Sequence, residues 1–201
     1  MAGRPIDFYF DFSSPYGYFA SCKIDALAAK HGREAVWRPF LLGAAFKTTG
    51  GQPLPSIPMK GPYHVRDMAR TARYLGVEFR HPSVFPIASV APTRAFYWLN
   101  AKDPKRAKTL ASELYRAYFV EDRDISKPEE VVSACGRLGL AAAETRAALA
   151  DQAVKDMTRT EVDAAVAIGA FGSPYVVIDG EPFWGADRFE QIEKWLATGG
   201  W

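Results

Sequence analysis

The hydrophobic and polar positions near the start of the chain follow two different periods. From residue 5 to residue 11 they alternate, with one face apolar and the other mostly polar: Ile6, Phe8 and Phe10, then Asp7, Tyr9 and Asp11. This period of two predicts a β-strand. Apolar residues then recur at helical spacing from Tyr16 to Ala28, and Gly32 is a typical helix end. With a second strand predicted over Ala35 to Phe40, the chain begins β-α-β.

The last part of the chain has a different order of elements. Tyr175 to Ile178 is a short apolar run that predicts a strand, and Asp179-Gly180 is a strong signal for a two-residue hairpin turn. Residues 181 to 184 return as a second strand, which we place at a sheet edge because Pro182 cannot donate to a ladder. Apolar residues at helical spacing follow: Phe189, Ile192, Trp195 and Leu196. The end of the chain is therefore predicted to be β-β-α.

The middle of the chain is predominantly helical in its pattern. Residues 43 to 62 are rich in Gly and Pro and are predicted to form a loop. Residues 107 to 118 fit the helical period closely. Ser126 to Glu129 has the form of a capping box, which predicts the start of another helix with Val131 and Cys135 on its apolar face.

This order of elements predicts an α/β protein with a thioredoxin-like fold and a helical domain inserted in it. We place the thioredoxin-like domain at residues 1–43 plus 155–201, and the inserted helical domain at residues 44–154. A chain of 201 residues is long enough for this arrangement, since it can bury a sizeable core.

Charge and composition exclude several classes of partner. The 25 Lys and Arg residues nearly balance the 23 Asp and Glu residues, so neither nucleic acid nor a membrane is an expected partner. No run approaches the roughly 18 apolar residues that a membrane span needs. The first residues do not resemble a signal peptide, and Cys22 and Cys135 are far apart in the sequence. We therefore predict a cytoplasmic protein with two free thiols.

Ser14 is the first candidate for chemistry, in the turn Asp11-Phe12-Ser13-Ser14-Pro15-Tyr16. A serine at the start of a helix has its hydroxyl beside unpaired backbone N–H groups and the positive end of the helix dipole. Such a position stabilises an anion, including the thiolate of a ligand. The alternative, which is the commoner role of a serine here, is that Ser14 only caps the helix.

Two further segments near the end of the chain have the pattern of a binding site. In Gly172-Ser173-Pro174 we predict a cis proline facing the start of the first helix, with the N–H and C=O of Ser173 free for a peptide-like ligand; the alternative is an ordinary proline before a strand. In Trp184 to Arg188, the N–H groups of Ala186 and Asp187 suit a carboxylate, and the Asp187 side chain suits an ammonium group. The alternative is that Asp187 caps the last helix.

These segments resemble, in order and spacing, 2-hydroxychromene-2-carboxylate isomerases and the related kappa-class glutathione transferases. The resemblance is strongest over residues 6–40 and 169–196, and Met59-Lys60-Gly61 and Phe85-Pro86 extend it through the insert. One departure is Gly51, where kappa-class enzymes usually have Asn, so a side-chain contact to the ligand is missing. That departure favours the isomerase over the transferase.

The resemblance implies that glutathione is the cofactor. Ser14 would be catalytic by hydrogen-bonding the glutathione sulfur, and Ser173 would pair with the cysteinyl backbone. Ala186 and Asp187 would hold the γ-glutamyl end, and Lys60 a carboxylate. The implied binding residues are Ser14, Lys60, Ser173, Pro174, Trp184, Gly185, Ala186 and Asp187. The family also implies a homodimer and a small aromatic carboxylate substrate.

The implied reaction interconverts 2-hydroxychromene-2-carboxylate and trans-o-hydroxybenzylidenepyruvate, as in the degradation of naphthalene and other aromatic hydrocarbons, and returns glutathione unchanged. A kappa-like transferase or peroxidase, which consumes glutathione, and a non-catalytic thiol-binding protein remain alternatives. A disulfide oxidoreductase would need Cys-x-x-Cys where this chain has Ser13-Ser14-Pro15-Tyr16.

Three scattered histidines without a cysteine partner predict no metal site. Several basic side chains could meet the substrate carboxylate, and the sequence does not choose among them: Lys47, Arg66, Arg70, Arg73 and Arg94.

Overall fold

Within residues 3–201, which the computed structural model describes, four strands form a single mixed sheet. The strands are β1 (Ile6–Phe10), β2 (Ala35–Pro39), β3 (Tyr175–Ile178) and β4 (Glu181–Trp184), in the order β2-β1-β3-β4. β1 is parallel to β2 and antiparallel to β3, and β3 is antiparallel to β4. All four predicted strands are confirmed. β4 lies at the edge of the sheet, as Pro182 required.

The described range also contains ten α-helices, of which seven lie between β2 and β3. They are α1 (Pro15–Ser21), α2 (Ile24–Lys30), α3 (Leu42–Thr49), α4 (Lys60–Leu75), α5 (Val90–Asn100), α6 (Pro104–Phe119), α7 (Pro128–Arg137), α8 (Ala142–Ala150), α9 (Gln152–Ala167) and α10 (Phe189–Thr198). Two 3₁₀ turns, Leu54–Ser56 and Ala186–Arg188, precede α4 and α10. None of the helices between residues 3 and 201 is long and apolar enough to cross a membrane.

The first predicted helix is in fact two helices. α1 ends at Ser21, whose hydroxyl donates to the Tyr18 carbonyl at 2.7 Å, and the Lys23 N–H bonds to the Ala20 carbonyl three residues back. These local bonds tighten the backbone and end α1. The apolar spacing continues through the break because Ile24 is fully buried in the same core, so the periodicity gave no sign of it.

Two predictions for the middle of the chain were wrong. The segment predicted as a loop contains α3, whose Ala45 is buried, and the first turn of α4. The predicted capping box is absent within the described residues, since the Ser126 hydroxyl donates to the Asp124 carboxylate at 2.5 Å instead. α7 nevertheless begins at Pro128, because proline suits the first position of a helix.

The main hydrophobic core is continuous between the sheet and the long helices. On its sheet side it contains Phe8 and Phe10, and on its helical side Tyr115 and Phe119, all fully buried. The Phe10 and Tyr115 rings lie 5.7 Å apart. The predicted domain boundaries fall inside α3 and α9, and the division into two domains remains a prediction. Met1 and Ala2, where the first predicted segment begins, lie outside the described residues.

The second face of the sheet is also largely covered. Tyr9, assigned to the polar face of β1, is only 9% exposed because it packs with Phe40 and with Val162 and Ala165 of α9. Asp11, at the end of the same face, is 2% exposed. The polar face of the first strand is therefore buried at the end that leads to Ser14.

Candidate functional site

Ser14 is the N-cap residue of α1 and is only 6% exposed. Its side-chain oxygen accepts a hydrogen bond from the Gly17 N–H at 3.0 Å, which is the capping role. The same hydroxyl donates to the carbonyl oxygen of Ser173 at 2.9 Å. Ser14 therefore caps the helix and also joins it to the segment that leads into β3.

Two backbone donors beside Ser14 are unused within residues 3–201. Pro15 has no N–H, and the N–H groups of Tyr16 and Ser173 make no hydrogen bond there. Buried backbone donors are nearly always paired in folded proteins, and Ser173 is 9% exposed. The site therefore presents one hydroxyl and two free N–H groups, a set suited to an anionic sulfur and the peptide backbone attached to it.

The Ser173-Pro174 peptide bond is cis, as predicted. The expectation that the Ser173 carbonyl is free was wrong, because Ser14 occupies it. The Ser173 hydroxyl accepts from the Asp11 N–H at 2.9 Å. Beside it, Gly172 lies directly against the Trp184 indole, where any side-chain carbon would collide with the ring. Ser173 and Pro174 are thus held in place by the turn before α1 on one side and by the end of β4 on the other.

The segment from Trp184 to Arg188 lies next to the start of α1. Gly185 donates its N–H to the Pro174 carbonyl at 3.1 Å, and the 3₁₀ turn that follows contacts α1. Trp184 is 56% exposed at the end of β4. Asp187 is exposed, and its carboxylate accepts from Arg188 at 2.7 Å rather than capping α10. An ammonium ligand at Asp187 would therefore compete with Arg188.

Lys60 is the first residue of α4 and is exposed. Its ammonium group makes no ion pair or hydrogen bond with any residue from 3 to 201, so its charge is unneutralised. α4 packs against α1 one turn further on, where the His64 and Tyr16 rings lie 5.5 Å apart. Gly51 is exposed between α3 and this helix. The structure thus puts Lys60 on a helix adjacent to α1.

Tyr16 and Asp67 fix the contact between α1 and α4. The Tyr16 hydroxyl donates to the Asp67 carboxylate at 2.5 Å, and Arg70 also bonds to that carboxylate. Burial and then this hydrogen bond raise the Tyr16 pKa far above its ordinary value, so the phenol stays protonated. Burial alone would raise the pKa of Asp67, but the Tyr16 and Arg70 hydrogen bonds lower it overall.

Sequence reasoning missed three residues that surround Ser14. Asp11 has a buried carboxylate, Tyr115 donates its hydroxyl to the Asp11 carbonyl at 3.0 Å, and Gly17 leaves no room for a side chain. Asp11 continues the polar face of the alternating pattern, so the pattern did not indicate that its carboxylate is buried. Tyr115 gave no functional signal either, since it fits the apolar face of α6.

The histidines and cysteines do not join the Ser14 site as metal ligands. Within residues 3–201 no group of three His, Cys, Asp or Glu side chains could hold a metal ion. His64, one of the three histidines, lies in α4 and is buried at 5% exposure. Both cysteines are free thiols, and Cys135 is buried whereas Cys22 is exposed at the end of α1.

Residues 5–197 match the DSBA-like thioredoxin domain. Because this match covers nearly the whole chain, the protein belongs to the DSBA-like thioredoxin domain family, and the predicted thioredoxin-like fold is confirmed. The four-stranded sheet with its many helices is the architecture of that family.

Within this family the chain is similar to two groups of relatives, as the sequence resemblance indicated. It is 28% identical to a 2-hydroxychromene-2-carboxylate isomerase of Sphingobium xenophagum, over 96% of this chain and 98% of the relative. It is 27% identical to glutathione S-transferase kappa 1 of Rattus norvegicus, over 97% and 94% of the two chains. A solved structure of 2-hydroxychromene-2-carboxylate isomerase superimposes with a TM-score of 0.85 at 24% identity, covering 96% of this chain and 94% of the other.

Proposed function

We propose that this protein is a glutathione-dependent isomerase that interconverts 2-hydroxychromene-2-carboxylate and trans-o-hydroxybenzylidenepyruvate in the cytoplasm. The observation that carries the proposal is the buried Ser14 hydroxyl at the start of α1, beside the free N–H groups of Tyr16 and Ser173. The isomerase and kappa-class relatives, each aligned over more than nine-tenths of both chains, support it.

Glutathione, when bound, supplies a thiolate that adds to the conjugated substrate and later leaves. The part of this chain is to keep the sulfur ionised near neutral pH. Lowering a thiol pKa by about two units requires about 2.7 kcal/mol, and a hydrogen bond to a charged group contributes about 1.5–3 kcal/mol. The α1 helix is only seven residues long, so its dipole adds at the lower end of about 0.3–1 kcal/mol. Ser14 therefore carries most of the stabilisation.

An exchange of hydrogen-bond partners would let Ser14 do this. A hydroxyl has one hydrogen, and the Ser14 hydrogen is directed at the Ser173 carbonyl. A peptide N–H from the ligand can take over that carbonyl. The Ser14 hydrogen is then available to the sulfur, while the Ser14 oxygen continues to accept from Gly17. Binding the ligand backbone and holding the thiolate are thus one event.

The outer contacts of the proposed site are charged. Lys60 offers an unneutralised ammonium group for a glutathione carboxylate, and the N–H groups of Ala186 and Asp187 would hold the γ-glutamyl end. Asp187 would exchange Arg188 for the ligand ammonium group. Gly185 is hydrogen-bonded to Pro174 and Trp184 packs against Gly172, so the proposed site includes Pro174, Trp184 and Gly185. The proposed substrate is a small aromatic carboxylate. The proposed assembly is a homodimer, and light scattering would test it by measuring the mass of the protein in solution.

A kappa-like glutathione transferase is the second candidate, because relatives bearing that name are as similar as the isomerases. Both activities need the same thiolate, and they differ in the fate of glutathione. An isomerase returns it, whereas a transferase consumes one molecule for each product. The absence of an asparagine at Gly51 favours the isomerase.

The deciding experiment mixes the purified protein with 2-hydroxychromene-2-carboxylate and a small, substoichiometric amount of glutathione. We expect the substrate to reach its equilibrium with the open-chain product, with the glutathione recovered intact. S-Methylglutathione, which has no thiol, is the matched control and should support no reaction.

Three results would contradict the isomerase. Stoichiometric loss of glutathione with an electrophile, without isomerisation, would favour the transferase. Binding of glutathione without thiolate absorbance near neutral pH would favour a non-catalytic binding protein. A reaction rate unaffected by omitting glutathione would exclude a glutathione-dependent mechanism.

A further inference from the structure

The Asp11 carboxylate, three residues before Ser14, is buried at 2% exposure and surrounded by hydrogen-bond donors. One carboxylate oxygen accepts from the Ser13 N–H and the other from the Leu42 N–H, both at 2.7 Å. The hydroxyls of Ser89 and Ser13 lie close enough to this carboxylate to lower its pKa. A buried carboxylate with several donors is held in one orientation, because losing any donor leaves a desolvated oxygen.

The two N–H donors and the Ser89 hydroxyl beside the carboxylate come from the starts of three different helices. Ser13 immediately precedes the N-cap of α1, Leu42 is the first residue of α3, and Ser89 is the N-cap residue of α5. Each helix start has unpaired N–H groups and positive partial charge, which a carboxylate satisfies. One side chain thus joins three elements that are otherwise separate in the sequence.

The main chain of Asp11 is equally constrained. Its N–H donates to the Ser173 hydroxyl at 2.9 Å, and its carbonyl accepts from the Ser14 N–H at 2.9 Å and from the Tyr115 hydroxyl at 3.0 Å. Asp11 therefore contacts both residues whose alignment sets the Ser14–Ser173 hydrogen bond.

No cation accompanies this carboxylate among residues 3–201. The titratable side chains near enough to interact with it electrostatically are the Tyr115 and Tyr118 phenols of α6, whose hydroxyls donate to backbone carbonyls, and the neighbouring groups of α3 and α5 are uncharged. Burial raises the Asp11 pKa, and the hydrogen bonds from Leu42, Ser13 and Ser89 oppose that rise. Its role is therefore carried by hydrogen bonds rather than by an ion pair.

We propose that Asp11 is the positioning residue of the Ser14 site. Its carboxylate fixes the turn between β1 and α1 against α3 and α5, and so holds the Ser14 hydroxyl between Gly17 and Ser173. The consequence for catalysis rests on the proposed function, whereas the positioning itself does not.

Amide hydrogen exchange of the ligand-free protein, read by NMR, tests the positioning directly. In Asp11→Asn the amide places an N–H₂ group against a backbone N–H, so the turn loses one of its bonds. We expect the Ser14 and Gly17 amides to exchange at least about tenfold faster, because local opening costs less, while the β1–β3 ladder keeps its protection. Unchanged protection at Ser14 and Gly17 would overturn the proposal, and so would an equal loss throughout the sheet.

Asp151→Asn is the matched control, since Asp151 is the N-cap of α9 and accepts from the Val154 N–H at 3.1 Å. We expect its effect to remain within α9. If Asp11→Asn fails to fold, Ser89→Ala removes the hydroxyl group beside the same carboxylate and should give the same local pattern in weaker form. Protection left intact at Ser14 and Gly17 in a folded Ser89→Ala would then overturn the proposal.

Kinetics add a readout that a purely structural role would not move. If Asp11 acts through Ser14, Asp11→Asn should lower kcat more than it raises KM for glutathione, and should have no further effect on kcat in a Ser14→Ala background. Additive losses in the double variant would contradict positioning through Ser14. Failure of the wild-type protein to bind glutathione would instead contradict the proposed function, and the amide exchange would still decide the role of Asp11.

Discussion

The Ser14 hydroxyl donates to the Ser173 carbonyl at 2.9 Å, although the two residues are 159 positions apart in the chain. This hydrogen bond joins the start of α1 to the residue before Pro174. Because it uses the only hydrogen of the Ser14 hydroxyl group, it sets the ligand-free state of the proposed site. A bound sulfur must take that hydrogen from Ser173.

Ser14→Ala should damage catalysis more than it damages glutathione binding. It removes the hydrogen bond to sulfur, worth about 1.5–3 kcal/mol, so the pKa of the bound thiol should rise by about one to two pH units. Turnover near neutral pH should fall at least about tenfold and recover partly at alkaline pH. Rate against pH, with glutathione affinity by calorimetry, checks both parts.

The control for this variant concerns its stability, because loss of an N-cap costs about 1 kcal/mol. Asp103→Ala removes a comparable cap from α6, where Asp103 accepts from the Arg106 N–H at 3.0 Å. It should lower the melting temperature to a similar extent and leave the rate unchanged. A stable Ser14→Ala protein with wild-type turnover and pH profile would show that Ser14 is only a cap.

Gly17→Ala should destabilise the protein, although alanine usually favours a helix over glycine. A methyl group at Gly17 would lie 2.6 Å from the Ser173 hydroxyl oxygen and 2.7 Å from the Tyr115 hydroxyl oxygen. Both neighbours are buried, so we expect a loss of about 1–3 kcal/mol in the free energy of unfolding. Urea denaturation measures it. Gly136→Ala, in α7 with open space around it, should instead gain about 0.5 kcal/mol, and equal effects would refute the steric argument.

The two cysteines should differ in reactivity toward iodoacetamide. Cys22 is exposed at the protein surface. The protein atoms around its thiol still exclude part of the solvent, which raises the thiol pKa. Cys135 is fully buried, and burial raises its pKa to about 11, against a smaller opposite effect of the Thr145 hydrogen bond. Peptide mapping by mass spectrometry should find Cys22 alkylated in the native protein and Cys135 only after urea is added. Early labelling of Cys135 would contradict its burial.

His64 should make the protein less stable in mild acid. Its ring is enclosed by Phe85 and Tyr16, and its Nδ1 has no partner within residues 3–201. Burial lowers the His64 pKa, with Asp67 opposing and His81 adding to the effect. The unfolded chain therefore binds a proton first, and stability is lost as the pH falls below about 6.5.

The measurement compares the urea midpoints of the wild type and His64→Leu at about pH 7.5 and about pH 5.5. The wild type should lose more stability between these conditions, because its buried His64 resists protonation in the folded state and is protonated on unfolding. The leucine variant has no group at this position that can bind a proton. An equal loss in both proteins would assign the acid sensitivity to other groups.

The sequence was sufficient for the sheet because its signals are local. The alternation in β1, the apolar run of β3 and the Asp179-Gly180 turn each specify a strand or its end without distant partners. The break after Ser21 could not be predicted, since Ile24 continues the apolar spacing across it. α3 was hidden for a related reason, because Gly and Pro on either side outweighed its short apolar stretch.

The site was predictable only in part. The turn at Ser14 and the segment at Ser173 are recognisable motifs, but their hydrogen bond depends on how β1 and β3 pair. The importance of Asp11 could not be seen, because its donors Leu42 and Ser89 come from residues far along the chain. Tertiary contacts of this kind leave no periodic trace in the sequence.

The pairing of β1 with β3 has a consequence for synthesis on the ribosome. Asp7 faces Val177 in the completed sheet, so the inner edge of β1 has no neighbouring strand until nearly the whole chain has been made. β1 and β2 can pair early, but an exposed strand edge invites association with other chains. The intervening helices, which rely on local contacts, can form during this interval. The nascent chain should therefore depend on chaperones until β3 has emerged.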